Sequence, residues 1–324
     1  MGRLFFFSLQ FRRPMMDSPF HLVSDFDGVW TEPARELQEV HTTLVQELAA
    51  LTARSVPQVE EDVAGFIQII RQKPECFGWR IEGRFSSYVD EDYFALPTAV
   101  GQFLEDATSG PEKIYLDALL SRHESALDFL DSCYHATCDR FRSDVKHDLT
   151  RGAERVLEWL LSHHVRITFV SNAPSGKIID WFAANGHEVL DGRDPVSHGR
   201  PLRAYGRAGK QFLSHDPQSL TLGGRKVQVD RPEYLALLEQ ENPDMVIGDV
   251  LSLDLALPLW MRQEKHPAAP TGIALMHLKH SPDWVTREIG KTPHAPDFLV
   301  PHVTSLPRLV TQVRRMKSAA LASV

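Results

Sequence analysis

Apolar positions along this chain change period twice, and each change marks a different kind of element. Phe20-His-Leu-Val23 is a short apolar run bounded by polar residues, the mark of a buried strand. Leu37, Val40, Leu44, Leu48 and Leu51 then recur at spacings of three and four, which predicts an amphipathic helix. Pro57 opens a second helix through Val59, Val63, Phe66, Ile67 and Ile70. Gly78, Gly83, Pro97, Gly101 and Gly110 break the periodicity over residues 74–111, and a helical pattern resumes from about Glu112 to Arg142.

From residue 150 the texture becomes alternating helix and strand. Arg151 to His163 is an amphipathic helix, followed by the β-rich run Val165-Arg-Ile-Thr-Phe-Val170. Ser175 can cap a helix carrying Ile178, Ile179 and Phe182, with Gly186 just past its end. Residues 200–229 predict a β-hairpin turning at Gly223-Gly224. Helix Glu233–Glu241, strand Met245-Val-Ile247, strand Gly272–Met276 and a terminal Leu306–Arg315 helix follow. Strands alternating with helices predict an α/β fold: a doubly wound, Rossmann-like parallel sheet covered on both faces. The mostly helical block would be an insertion into it. The expected divisions are a tail at 1–17, a first core segment at 18–34, a helical domain at 35–149, the rest of the core at 150–312 and a tail at 313–324.

Length and composition narrow the classes. A chain of 324 residues with 43% hydrophobic content buries a full core and favours two domains. A net charge of −8 argues against a nucleic-acid surface, and Arg314-Arg315-Met-Lys317 reads as a solvated helix end. Three cysteines cannot all pair, which suits a reducing compartment. Cys133 and Cys138 flank His135 without the second ligand pair of a zinc site. The first eleven residues resemble a signal peptide only faintly: the apolar run is short, Arg12-Arg13 follows it, and no small-residue cleavage site is present. Phe6 stands where N-myristoylation wants Ser or Thr. Met15 or Met16 is an alternative start. With no apolar stretch approaching a membrane span, the expectation is a soluble, cytoplasmic protein with no membrane partner.

Candidate chemistry lies at the predicted strand ends. Asp25-Phe-Asp27-Gly28 follows the first strand directly, and alternate residues of an extended chain point the same way. Two carboxylates so placed suit a pair in which one attacks or binds a metal while the other moves protons. The same pattern also fills ordinary surface turns. An EF-hand loop fails, because Gly28 falls at the fourth position and Val29 and Trp30 occupy ligand positions. Ser171-Asn172 ends the second strand, and Gly248-Asp249 ends a later one, with Asp254 five residues on. Ser171 alone reads rather as a helix cap, and Asp254 alone as an acid favoured by a helix dipole. Together, at the carboxyl ends of parallel strands where ligands bind, they predict one pocket.

In this arrangement the chain resembles the haloacid dehalogenase superfamily of phosphatases and phosphotransferases. Asp25-Phe-Asp27-Gly-Val-Trp-Thr31 is similar to the family's first motif, Phe169-Val-Ser171-Asn172 to its second, and Gly248-Asp249-Val-Leu-Ser-Leu-Asp254 to its fourth. For the third, a cation, Arg231-Pro232 resembles the family's Lys-Pro stretch with Arg in place of Lys; Lys226 is the runner-up and Lys210 stands third. The resemblance covers about 18–34 and 150–312, with the helical block as a cap. It implies Mg²⁺-dependent cleavage of a small phosphate monoester. Asp25 would be the nucleophile, forming an aspartyl-phosphate, and Asp27 the proton carrier. Asp25, the Asp27 backbone carbonyl and Asp249 would be metal ligands, with Asp254 binding directly or through water. Ser171, Asn172 and Arg231 (or Lys226) would hold the substrate phosphate. The family's dehalogenases lack the second aspartate, so Asp27 favours phosphoryl transfer.

The expected partner is a small phosphorylated metabolite. A phosphomutase or phosphotransferase would use the same residues, and a catalytically silent binding module would keep the fold alone. Within the cap, Arg71, Lys73, Arg80 and Arg84, interleaved with Phe77, Trp79 and Phe85, are candidates to meet the substrate or else form a solvated basic face.

Overall fold

A computed structural model describes residues 19–144, 147–279, 281–287, 289 and 295–322. The tail expected at 1–17 lies outside them. In chain order the elements begin with β1 (Phe20–Ser24), α1 (Ala34–Thr52), α2 (Val56–Gln72), β2 (Gly78–Ile81) and β3 (Arg84–Tyr88). Then come α3 (Leu96–Glu105), α4 (Gly110–Leu120), α5 (Ala126–Asp144), α6 (Ala153–Ser162), β4 (Val165–Val170), α7 (Ser175–Ala184), β5 (Leu190–Asp191) and β6 (Leu202–Tyr205). The remainder is β7 (Ser219–Leu222), β8 (Arg225–Gln228), α8 (Pro232–Glu241), β9 (Met245–Gly248), α9 (Ala256–Gln263), β10 (Gly272–Met276), α10 (Asp283–Thr286), β11 (Phe298–Val300) and α11 (Leu306–Ala322).

Seven strands form one sheet in the order β11-β10-β9-β1-β4-β6-β5, and every pairing in it is parallel. Parallel sheets need both faces covered, and the alternation of side chains shows how this one is. Leu22, Ile167, Phe169, Ile247 and Ala274 point to a core shared with α6, α7 and α11. Their neighbours Val23, Val170, Val246, Ile273 and Leu275 point the other way, onto α8 and α9. The doubly wound α/β sheet expected from the sequence is therefore present. Burying each of the Val, Leu, Ile and Phe side chains among them contributes about 1.5–3 kcal/mol, so the strands are held by both layers at once.

Residues 34–144 have a core of their own, in which Leu44 and Leu48 of α1 meet Val59, Val63 and Ile70 of α2, with Tyr115, Leu119 and Leu130 closing it. Three expectations need correction. The helical stretch 112–142 is two helices, α4 and α5, because Ser121 to Ser125 interrupts it. The hairpin read at 200–229 is confined to β7–β8, with Gly223 (φ 56°) and Gly224 (φ 84°) at its turn, while β6 joins the main sheet. The terminal helix read at Leu306–Arg315 runs on to Ala322 as α11; its Val313 is fully buried against the sheet, while residues 315–320 lie exposed. Among the described residues no helix is long and apolar enough to cross a membrane.

Candidate active site

The chain leaves β1 toward β4 on one side and leaves β9 toward β10 on the other, so the sheet's crevice opens between β1 and β9. Ligands of open α/β sheets bind at such a point, beyond the carboxyl ends of the strands. Asp25 stands there, its N–H donated to the Ile247 carbonyl at 2.9 Å. Two buried aromatics anchor the turn that follows. Phe26 and Trp30 pack edge-on or tilted against Phe182, and Trp30 also meets Phe169. The Trp30 indole donates to Ser24 Oγ at 2.9 Å, so the turn is pinned at both ends.

Gly28 makes the carboxylate cluster possible. Its φ is 74°, and a Cβ there would lie 2.2 Å from Asp249 Oδ2. Both facts demand glycine. Gly28→Ala should therefore displace Asp249 and weaken divalent-metal binding at least tenfold in a calorimetric titration; unchanged metal affinity would show that the close approach is incidental. After Asp249 the chain makes a π-helical turn, Leu251–Leu255, that folds Asp254 back over the strand end. Asp254 donates its N–H to the Val250 carbonyl (2.9 Å) and accepts the Val250 N–H on Oδ2 (3.0 Å). Asp25, Asp249 and Asp254 thereby offer oxygens that all lie within 4.8 Å of one another.

The cation of the site is Lys210. Its Nζ lies 2.7 Å from Asp25 Oδ1 and 2.7 Å from Asp254 Oδ1, and its side chain is 2% exposed. Burial disfavours the ammonium, but the two carboxylates outweigh it and hold Lys210 above the usual lysine range. Burial, reinforced by Asp254 and opposed by Lys210, pushes Asp25 up to about 7. Asp249 is raised well above the carboxylate range by burial and by Asp25 and Asp254 beside it. Three carboxyl groups crowd against one ammonium and oppose one another's ionisation, so a further cation among them would be favoured. The donors are all oxygen, which fits a hard divalent cation such as Mg²⁺.

Ser171 and Asn172 occupy the end of β4, beside β1. Ser171 is 3% exposed and accepts the Ala173 N–H on Oγ at 3.2 Å. Asn172 Oδ1 accepts the Lys210 N–H at 3.0 Å, so it braces the lysine's backbone. Asp27 faces a second cation: Lys177 Nζ donates to its Oδ1 (3.0 Å) and to Glu36 Oε2 (2.9 Å), while Thr31 Oγ1 donates to the same Asp27 oxygen at 3.2 Å. Burial raises the Glu36 carboxyl above its ordinary value, against the opposing pull of Lys177. Glu36 comes from the first turn of α1, so the helical block reaches Asp27 through the Lys177 ammonium.

Arg231, expected to face the phosphate, does not lie with the carboxylates. Its guanidinium is fully buried and donates to Ser86 Oγ (2.9 Å), to the Ser86 carbonyl (2.7 Å) and to the Lys210 carbonyl. The runner-up Lys226 is exposed on β8, where its carbonyl accepts the Tyr88 hydroxyl at 2.8 Å. The lysine ranked third therefore stands in the position assigned to the other two. Its one local signal is the Gly209-Lys210 pair on the loop after β6, a weaker pattern than the proline that follows Arg231. Lys177 was missed altogether. A lysine in the first turn of a helix opposes the helix dipole, which is itself a sign that a carboxylate waits nearby. Of the basic cap residues, Arg84 is paired with Asp230 at 2.8 Å, and Arg80 lies over the Phe85 ring, 4.5 Å from its centroid.

No protein-family model matches the chain, and no curated protein matches it. Haloacid dehalogenase-like hydrolases are among the solved structures similar to it. They include a magnesium-bound structure assigned as a HAD-hydrolase from Bacillus subtilis (11% identity, 90% of this chain and 99% of that one, TM-score 0.42). A HAD phosphatase from Thermococcus onnurineus aligns at 11% identity over 90% and 97% of the two chains, with a TM-score of 0.43. A 2-haloacid dehalogenase from Pseudomonas syringae pv. Tomato aligns at 12% over 91% and 99%, with a TM-score of 0.40. At these distances no residue role passes from them to this chain.

Proposed function

We propose that this protein is a Mg²⁺-dependent phosphatase of the haloacid dehalogenase type, acting on a small phosphorylated metabolite. The observation that carries this is the meeting of Asp25, Asp249 and Asp254 with the Lys210 ammonium at the sheet's crevice. Asp25, the Asp27 backbone carbonyl and Asp249 would hold the ion, with Asp254 joining directly or through water. Bound there, Mg²⁺ would neutralise the phosphate and polarise its oxygens.

Asp25 would attack phosphorus as the ester P–O bond breaks, forming an aspartyl-phosphate. Asp27 would give its proton to the departing oxygen. Both of its hydrogen bonds, from Lys177 and Thr31, fall on Oδ1, so Oδ2 is the oxygen assigned to that transfer. In the second step Asp27 takes a proton from water as the water attacks phosphorus, and the bond to Asp25 breaks to release phosphate. Lys210 would offset the charge on the transferring group, and the Ser171 hydroxyl and Asn172 N–H would hydrogen-bond its oxygens. The net charge of −8 and the enclosed carboxylates, with the Asp25 side chain 11% exposed, support a small molecule over a nucleic acid as the partner.

Purified protein should release phosphate from an activated aryl phosphate in the presence of Mg²⁺ and lose that activity in excess EDTA. Equal rates with and without the chelator would refute the metal assignment.

A further inference from the structure

We propose that Arg231 and Glu91 are positioning residues through which one segment, Ser86 to Glu91 at the end of β3, holds both loops that carry the chemistry. One loop carries Lys210, the other Asp249 and Asp254. The proposal deepens the phosphatase reading and rests on it for its activity measurement alone.

Two buried side chains make the connection. Arg231 is 1% exposed and spans from Ser86, where it donates to both the hydroxyl and the carbonyl, to the Lys210 carbonyl. Its planar fork makes two bonds to Ser86 and one to the Lys210 carbonyl, an arrangement that fixes their relative direction as a lysine's single ammonium does not. The lysine backbone is then held at both of its polar atoms, its N–H by Asn172 and its carbonyl by Arg231. Glu91 is 2% exposed; it accepts the Ser252 N–H on Oε2 (3.0 Å) and the Ser252 hydroxyl on Oε1. Ser252 lies in the π-helical turn that returns Asp254 to the site. Each contact thus closes on a backbone segment within two residues of a site side chain, or on that residue itself.

The segment between them is fastened to the same side of the molecule. Ser86 Oγ donates to the Gln211 carbonyl (2.7 Å), and Asp90 takes both Arg225 guanidinium nitrogens (2.7 and 2.9 Å) and the Trp284 indole (3.1 Å). Although β3 lies within the inserted block, these bonds tie it to the sheet domain. It acts as a fixed wall of the site.

The test uses the full chain, with Arg231→Lys, Ser86→Ala and Glu91→Gln. Mg²⁺ binding is measured by calorimetry, binding of tungstate (an unreactive phosphate-like oxyanion) to Mg²⁺-loaded protein by the same method, and kcat and KM on an aryl phosphate in parallel. Arg231→Lys should lower tungstate affinity and kcat by about tenfold or more with Mg²⁺ affinity kept, because of the two loops Arg231 touches only the one that carries Lys210. Ser86→Ala should do the same to a smaller degree, and it decides the point if Arg231→Lys does not fold. Glu91→Gln should weaken Mg²⁺ binding about tenfold at an unfolding temperature near that of the wild type. Folded variants with wild-type tungstate affinity overturn the Arg231 half, and wild-type Mg²⁺ affinity in Glu91→Gln overturns the Glu91 half. Wild-type protein that binds both ligands yet hydrolyses no phosphate ester would overturn the phosphatase reading, while the binding measurements still decide the positioning roles.

Discussion

Asp25→Asn should abolish turnover, by about 10⁴-fold or more, while the protein stays folded. An amide oxygen is a poor nucleophile, and no neighbouring group stands in the same place to replace the carboxylate. The change conserves shape, and it removes a negative charge that burial already disfavours, since Asp25 is pushed up to about 7. The fold should therefore tolerate it, with an unfolding temperature in EDTA within a few degrees of the wild type. Asp27→Asn should instead slow turnover by about 10²–10⁴-fold, the usual worth of a general acid–base, because proton transfer can pass through water. Steady-state rates on an aryl phosphate, beside thermal unfolding curves, check both. Wild-type rates in Asp25→Asn would remove the nucleophile assignment and with it the aspartyl-phosphate.

Lys210→Met should lower kcat/KM by about 10²–10³-fold, the range found when one preorganised donor to a transition-state oxygen is removed. Methionine keeps the length of the stem and removes only the charge. Without metal the substitution should also cost stability, because Asp25 and Asp254, each 2.7 Å from the ammonium, would face each other unscreened. The variant should therefore unfold at lower temperature than wild type in EDTA, and Mg²⁺ should recover part of the difference. Lys226→Ala, on the exposed face of β8, should keep wild-type kinetics. A larger loss for Lys226→Ala than for Lys210→Met would reverse the assignment of the cation.

The parts of the site that were legible in the sequence are local. A strand end followed by Asp-x-Asp-Gly declares its own geometry, because two-residue periodicity and a glycine turn act within a few residues. The same holds for Ser171 at the end of Val165–Val170 and for Gly248-Asp249 after Met245–Ile247. The alternation of apolar runs with helical spacing likewise determined a doubly wound parallel sheet and an inserted helical block, since burial on both faces leaves that pattern in the chain.

Only the tertiary structure decided which cation meets these carboxylates. Lys210 and Asp25 are 185 residues apart, and Lys177 and Glu36 are 141 apart. No local pattern says whether a lysine on a loop or an arginine at a helix start points into the crevice. That depends on which backbone segments pack beside it. Arg231 had the neighbouring proline that the motif leads one to expect, yet β3 lies against it and takes its guanidinium through Ser86. The carboxylates were legible because a strand end orients them. The cations were not, because their direction is set by packing between segments far apart in the chain.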